Sequence, residues 1–217
     1  MNYNPNIFVV DDDQTLRGSL CWLLESLNLN VQTYASAHEF LSSYDPVQPG
    51  CLLLDVRMPE ISGLQLQDML KKRRIRIPVI IITGHSDVSM AVRAMKAGAL
   101  DFIEKPFHDQ ELLECVQQAL AVDARQRLEE EQQRIAVERL ESLTPREREV
   151  LEKVICGKLN KMIATELGIS MKTVEAHRAK IMEKMRVNSA FELAGMYFTS
   201  DGYRVKPLTG PWNARIS

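Results

Sequence analysis

The apolar residues of this chain follow two kinds of pattern, and the change from one to the other divides it. In the first half, short apolar runs at 7–10, 31–34, 51–54, 79–82 and 101–103 alternate with longer stretches of helical period. Leu16, Leu20, Leu23, Leu24 and Leu27 form one such stretch. Runs that short fit buried strands, and their alternation with helices predicts a doubly wound α/β fold around a five-stranded parallel sheet.

From Phe107 to Thr144 there is neither Gly nor Pro. Residues 109–122 are amphipathic through Leu112, Leu113, Val116, Ala119 and Leu120, whereas 123–141 are dominated by Arg, Glu and Gln. The spacing predicts one continuous helix, its second part a solvated linker that would extend roughly 28 Å. Leu128 and Ile135 lie one heptad apart, but Ala124, Glu131 and Glu138 supply no matching apolar positions, so a coiled-coil seam is the weaker alternative.

Helical signals then resume in a different style. Thr144 is placed to cap a helix, Pro145 suits its first position, and Glu147 completes a capping box ahead of Val150, Leu151, Val154 and Ile155. Asn160 opens a shorter helix that ends at Gly168, and Ser170 caps a longer one with Val174, Ile181, Met182 and Met185 facing inward. Two helices joined by a short turn, the second longer and basic on one side, predict a helix-turn-helix within an all-α domain of four helices. The expected division is residues 1–120, a helical linker 121–141, a second domain 142–199 and an irregular tail 200–217.

Candidate chemistry lies at the ends of the strands. Asp11, Asp12 and Asp13 follow the run 7–10, Asp55 follows 51–54, Thr83 follows 79–82, and Lys105-Pro106 follows Phe102-Ile103. In an open parallel sheet these ends converge on one rim, the usual position of a ligand site. Three carboxylates, a hydroxyl and an ammonium brought together suit a divalent cation and a phosphoryl group. Mg²⁺ takes oxygen ligands, commonly one or two carboxylates with water, and Asp55 is placed to attack phosphorus as a carboxylate nucleophile. Thr83 and Lys105 would neutralise the transferred oxygens. Asp13, directly before a helical pattern, reads as a helix start and not as a ligand.

These residues, with Met58-Pro59 and Gly63, resemble the receiver domain of two-component response regulators over residues 1–120. The resemblance implies a flavodoxin-like fold, phosphorylation of Asp55 by a sensor histidine kinase, and Mg²⁺ (or Mn²⁺) held by Asp11, Asp12, Asp55 and the backbone carbonyl of Arg57. It also implies a switch through Thr83 and the aromatic Phe102, where many receivers carry Tyr, and a cis peptide bond at Lys105-Pro106. Leu143 to Val150, Asn160 to Ala164 and Thr173 to Met185 are similar to the LuxR-type DNA-binding module, and within that group Thr173 to Met185 most resembles the FixJ-type response regulators. Thr83-Gly84-His85 points the same way. Dimerisation on phosphorylation, through the face spanning Val88 to Leu113, follows from the family. RNA polymerase is a further expected partner.

Charge is distributed unevenly. Residues 1–122 hold 10 Lys/Arg and 15 Asp/Glu, a net of −5, while 142–199 hold 10 and 7, a net of +3. A basic module beside an acidic one suits a nucleic-acid partner at the far end, and the LuxR-type resemblance implies that this partner is double-stranded promoter DNA. In the longer basic helix, Lys172, Thr173, Glu175, Ala176, Arg178 and Ala179 fall on the outward N-terminal half, which is the part of such a helix that reaches base edges. Glu175 can accept from cytosine, Arg178 can donate to guanine or phosphate, and Ala176 can touch a thymine methyl. Asn160 and Lys161 are candidates for phosphate contact.

The expected protein is a cytoplasmic DNA-binding regulator, with no catalysis beyond self-catalysed phosphoryl transfer to Asp55 and slow autodephosphorylation. The four cysteines, Cys21, Cys51, Cys115 and Cys156, are widely spaced and expected to be reduced. No secretion signal or membrane span is expected. Two other readings compete with this one. A Mg²⁺-dependent phosphatase with an aspartyl-phosphate intermediate would need a second carboxylate, commonly two residues after the nucleophile, where this chain has Arg57. A phosphorylation-independent receiver serving as a protein-binding platform would not need the full set of Asp11, Asp12, Asp55, Thr83 and Lys105.

Overall fold

The computed structural model describes residues 4–84 and 88–201. The elements in order are β1 (Asn6–Val10), α1 (Gln14–Ser26), β2 (Asn30–Tyr34), α2 (Ala37–Ser43), β3 (Gly50–Asp55), α3 (Gly63–Lys72) and β4 (Val79–Gly84). They continue with α4 (Val88–Ala97), β5 (Asp101–Lys105), α5 (Asp109–Glu141), α6 (Pro145–Ile155), α7 (Asn160–Leu167), α8 (Met171–Met185) and α9 (Ala190–Asp201). The chain forms two compact units, one up to Arg127 and one from Leu128.

In the first unit all five strands are parallel, in the order β2-β1-β3-β4-β5. Residues of opposite parity in each strand face opposite sides of the sheet. Phe8, Val10, Leu52, Leu54 and Ile81 pack with Phe40, Leu66, Leu70 and Ala94 from α2, α3 and α4. Ile7, Val9, Leu53, Ile80 and Ile82 pack with Leu20 and Leu24 of α1 and Leu112, Val116 and Ala119 of α5. The sheet is therefore covered on both faces, and near-continuous apolar strands are the result. The order reverses direction around β1, which opens the crevice beside β3 where such folds bind ligands.

The second unit packs α6, α7, α8 and α9 around Val150, Leu151, Ile163, Val174, Ile181, Met185 and Leu193. Thr144 and Glu147 form the expected capping box on α6, and Ser170 caps α8 through the amide of Thr173. Gly168 ends α7 in the left-handed conformation, at φ 63°, where a residue without Cβ is unstrained.

Helix α5 is continuous, but it is less solvated than its composition predicts. In the first unit the Asp123 carboxylate is buried, accepts the Gly50 amide at 3.0 Å, and is paired with Arg127. Arg127 also donates to the carbonyls of Pro46, Val47 and Gln48. In the second unit Ala136 is buried and Leu140 packs against the core of α6 and α8. An anchored aspartate and a small alanine leave no hydrophobic period, so this part reads as solvent-facing. Asp201 closes α9. His85 and the irregular tail expected after it lie outside the described residues.

Candidate functional sites

Strand register levels the polar residues at one rim. Val10 stands beside Leu54, Asp55 beside Ile82, and Gly84 beside Lys105. Asp11, Asp12, Asp55, Arg57 and Lys105 consequently line one cavity of about 270 Å³, together with Asp13, Val56 and Gly84. Asp11 and Asp55 are buried beneath Asp12, which is exposed. Lys105 Nζ donates to Asp11 Oδ2 at 2.9 Å and to Asp55 Oδ1 at 2.5 Å. The other oxygens accept backbone amides: Asp55 Oδ2 from Arg57 at 2.6 Å, and Asp11 Oδ1 from Asp13 at 2.8 Å. The Lys105–Pro106 bond is cis.

Burial pushes the Asp55 carboxyl above the usual carboxylate range and outweighs the lowering effect of Lys105; the neighbouring Asp11 adds to the rise. Burial acts against the Lys105 charge as well, but its bonds to Asp55 and Asp11 prevail and hold the ammonium above its ordinary value. Two buried acids facing one ammonium form a charge-deficient pocket that favours a second cation. The Asp13 carboxylate is engaged elsewhere: its Oδ1 accepts the amides of Thr15 and Leu16 as the N-cap of α1.

Among the described residues no three metal-ligating side chains converge closely enough to cage an ion by themselves. The cavity is lined by the acidic residues Asp11, Asp12 and Asp55, whose carboxylate oxygens suit a hard cation that completes its shell with water, as Mg²⁺ does.

Thr83 is buried at the end of β4, with its hydroxyl 3.5 Å from the Gly84 carbonyl, and it does not line the cavity. Phe102 on β5 is 44% exposed. Gly63, whose amide donates to the Val56 carbonyl, has no room for a side chain: a Cβ there would lie 2.2 Å from the Asp55 carbonyl oxygen. Sequence inspection missed Arg17, which donates from α1 to the Asp11 carbonyl at 2.7 Å. A lone arginine in a helical pattern carries no signal of that contact.

In the second unit Lys172, Glu175, Ala176 and Ala179 are exposed along α8, and Lys161 is exposed at the start of α7. Thr173 is half-buried, its hydroxyl 2.8 Å from that of Ser170 within the helix cap. Arg178 is half-buried and donates to Asn160 Oδ1 at 3.1 Å, so this pair ties the two helices of the motif together. Among the described residues no helix is long and apolar enough to cross a membrane.

Comparison with known proteins extends over both units. Residues 7–117 match the response regulator receiver domain family, and 141–197 match the luxR family of bacterial regulatory proteins. The transcriptional regulatory protein FixJ of Azorhizobium caulinodans is 46% identical over 190 residues, 88% of this chain and 90% of its own length. The transcriptional regulatory protein TdiR of Thauera aromatica is 42% identical over 196 residues, 90% and 86% of the two chains. Among solved structures, the response regulator StyR superposes with a TM-score of 0.83 at 45% identity, covering 90% of this chain and 98% of that one. The five-stranded parallel sheet and the helical second unit agree with these matches, and the chain belongs to the response regulators that join a receiver domain to a LuxR-type DNA-binding domain.

Proposed function

We propose that Asp55 accepts a phosphoryl group from a sensor histidine kinase, and that this modification controls the binding of the second unit to promoter DNA. The observation that supports it most is the burial of Asp55 and Asp11 against the single ammonium of Lys105. The Asp55 carboxylate attacks phosphorus, the bond to the donor's imidazole breaks, and the imidazole leaves with its electron pair. Lys105, which donates to the Asp55 carboxylate beforehand, then donates to the new phosphoryl oxygens. Mg²⁺ or Mn²⁺, held by Asp11, Asp12, Asp55 and the Arg57 carbonyl, would supply the remaining charge neutralisation. Slow autodephosphorylation then resets the protein without making it an enzyme.

Thr83 turns its hydroxyl towards the phosphoryl group, and Phe102 leaves solvent for the space that Thr83 vacates. This biases the face of α4, β5 and α5 towards a homodimer. Two linked modules bind two half-sites more tightly through effective concentration, with no change in any base contact. Lys172, Glu175, Ala176 and Ala179 meet the major groove, with Lys161 on phosphate. Thr173 and the Arg178–Asn160 pair set the helix in place beside them. The protein acts in the cytoplasm and meets RNA polymerase at the promoter.

Treatment with a small phosphodonor and Mg²⁺, followed by sedimentation and DNA titration, tests this reading. The expected result is a shift from monomer to dimer with tighter DNA binding. Stable phosphorylation without either change would overturn the proposed coupling.

A further inference from the structure

We infer that Arg139, in the last turn of α5, is a positioning residue that pins the DNA-recognition helix α8 at its C-terminal end. The inference rests on the DNA-binding reading of the second unit and names a residue that neither helix of the motif contains.

The last four carbonyls of any α-helix lack partners within it. In α8 these belong to Met182, Glu183, Lys184 and Met185. The left-handed turn at Arg186 engages the first two: the Arg186 amide donates to the Glu183 and Met182 carbonyls, and the Val187 amide to that of Met182. Met185 is fully buried, so water does not reach its carbonyl. Arg139 Nη1 donates to it at 2.8 Å. The same nitrogen lies 3.8 Å from Met196 Sδ on α9, which confines the guanidinium between α8 and α9.

A cation at a helix C-terminus is also favoured by the helix dipole. A second contact works beside it. Lys184 Nζ donates to the Ser142 carbonyl at 3.1 Å and to the buried Glu147 at 2.7 Å. The C-terminal end of α8 is thus held by the stretch from Arg139 to Glu147, and its other end presents Lys172, Glu175 and Ala176 to solvent. A rod about 22 Å long, fixed at one end, transmits any shift of that end to the residues that meet bases. Leu140, packed against the same core, and the buried Ala136 keep the last turns of α5 in register with the pin. The recognition helix is therefore set by α5 as well as by the two helices beside it.

The test uses the full-length protein treated with acetyl phosphate and Mg²⁺, and a duplex selected from a randomised library by the parent. Arg139→Gln, Arg139→Lys and Arg134→Gln are compared; Arg134 lies exposed on the same helix, paired with Glu131 and Glu138. Arg139→Gln is expected to bind the duplex about tenfold more weakly, the scale of one charge-assisted hydrogen bond, with faster amide exchange at the end of α8 and unchanged phosphorylation. Arg139→Lys should recover much of the loss, because an ammonium can still donate to the carbonyl, and Arg134→Gln should match the parent. Parental binding by Arg139→Gln overturns the inference, as does a loss that Lys fails to rescue and that follows global unfolding. If the parent selects no duplex, the DNA-binding reading fails instead, while the exchange rates at the end of α8 still decide whether Arg139 pins it.

Discussion

Arg178 Nη1 donates to Asn160 Oδ1 at 3.1 Å, joining the recognition helix α8 to the first turn of α7. Glu175 stands one turn before Arg178 on the same face of α8, but the Arg178 guanidinium reaches across the motif to α7. Removing either partner should lower stability by about 1 kcal/mol, and the double variant Asn160→Ala/Arg178→Ala should be less destabilised than the sum of the two. Urea unfolding of the four proteins measures this coupling. Additive losses would mean that the pair contributes nothing.

With Arg178 engaged in this way, Glu175 and Lys161 remain exposed and test the readout of DNA separately. Lys161→Ala should weaken binding to all sequences alike and lower the salt slope by about 0.9, the share of one phosphate contact. Glu175→Ala should relax preference at one base pair per half-site, at about 1–3 kcal/mol for the favoured base. Binding-site selection with each variant distinguishes the two effects. An unchanged preference with Glu175→Ala would remove it from base readout.

Glu147 gives the second unit an acid-sensitive stability. Its hydrogen bond from Lys184 comes first in holding the carboxyl below its ordinary value, helped by the amide of Thr144. A group whose pKa falls on folding binds fewer protons when folded, so its contribution is present above the unfolded value and lost as pH falls through the folded one. The loss should begin near the unfolded glutamate value of 4.5 and deepen below it. Glu147→Gln keeps the capping geometry but not the charge. It should cost about 1–2 kcal/mol at neutral pH and flatten the acid limb of the stability profile. An unchanged limb in urea titrations across pH would contradict this.

Gly63 restrains the strand that carries Asp55. The Cβ of Gly63→Ala would fall on the Asp55 carbonyl, which is backbone and gives way only if β3 moves. The expected outcome is a loss of about 1–3 kcal/mol and slower phosphorylation of Asp55. Parental stability and rate would show that the loop after β3 accommodates a methyl group freely.

The sequence was most legible where physical constraints repeat. Strands buried on both faces wrote themselves as apolar runs, and the acids and lysine stood at their ends because a parallel sheet brings those ends together. Helix starts at Thr144 and Ser170 were equally plain, since capping needs particular side chains at fixed spacing. Contacts between residues distant in sequence left no such trace. Arg17 on Asp11, Arg127 on the loop before β3, and Arg139 on Met185 are arginines reaching backbone carbonyls, and a carbonyl has no sequence signature. The burial of Asp123 and Ala136 was hidden for a related reason, because small or paired residues create no apolar period.

Everything proposed for the first unit depends on Asp55 being the nucleophile. Asp55→Asn preserves size and shape, but an amide cannot attack phosphorus. The parent and the Asn variant should be incubated with acetyl phosphate and Mg²⁺ and examined by intact-protein and peptide mass spectrometry. One phosphoryl group is expected on the parent, on the peptide containing Asp55, and none on a variant that remains folded. Phosphate incorporated equally by the Asn variant, or found on another residue of the parent, would contradict it.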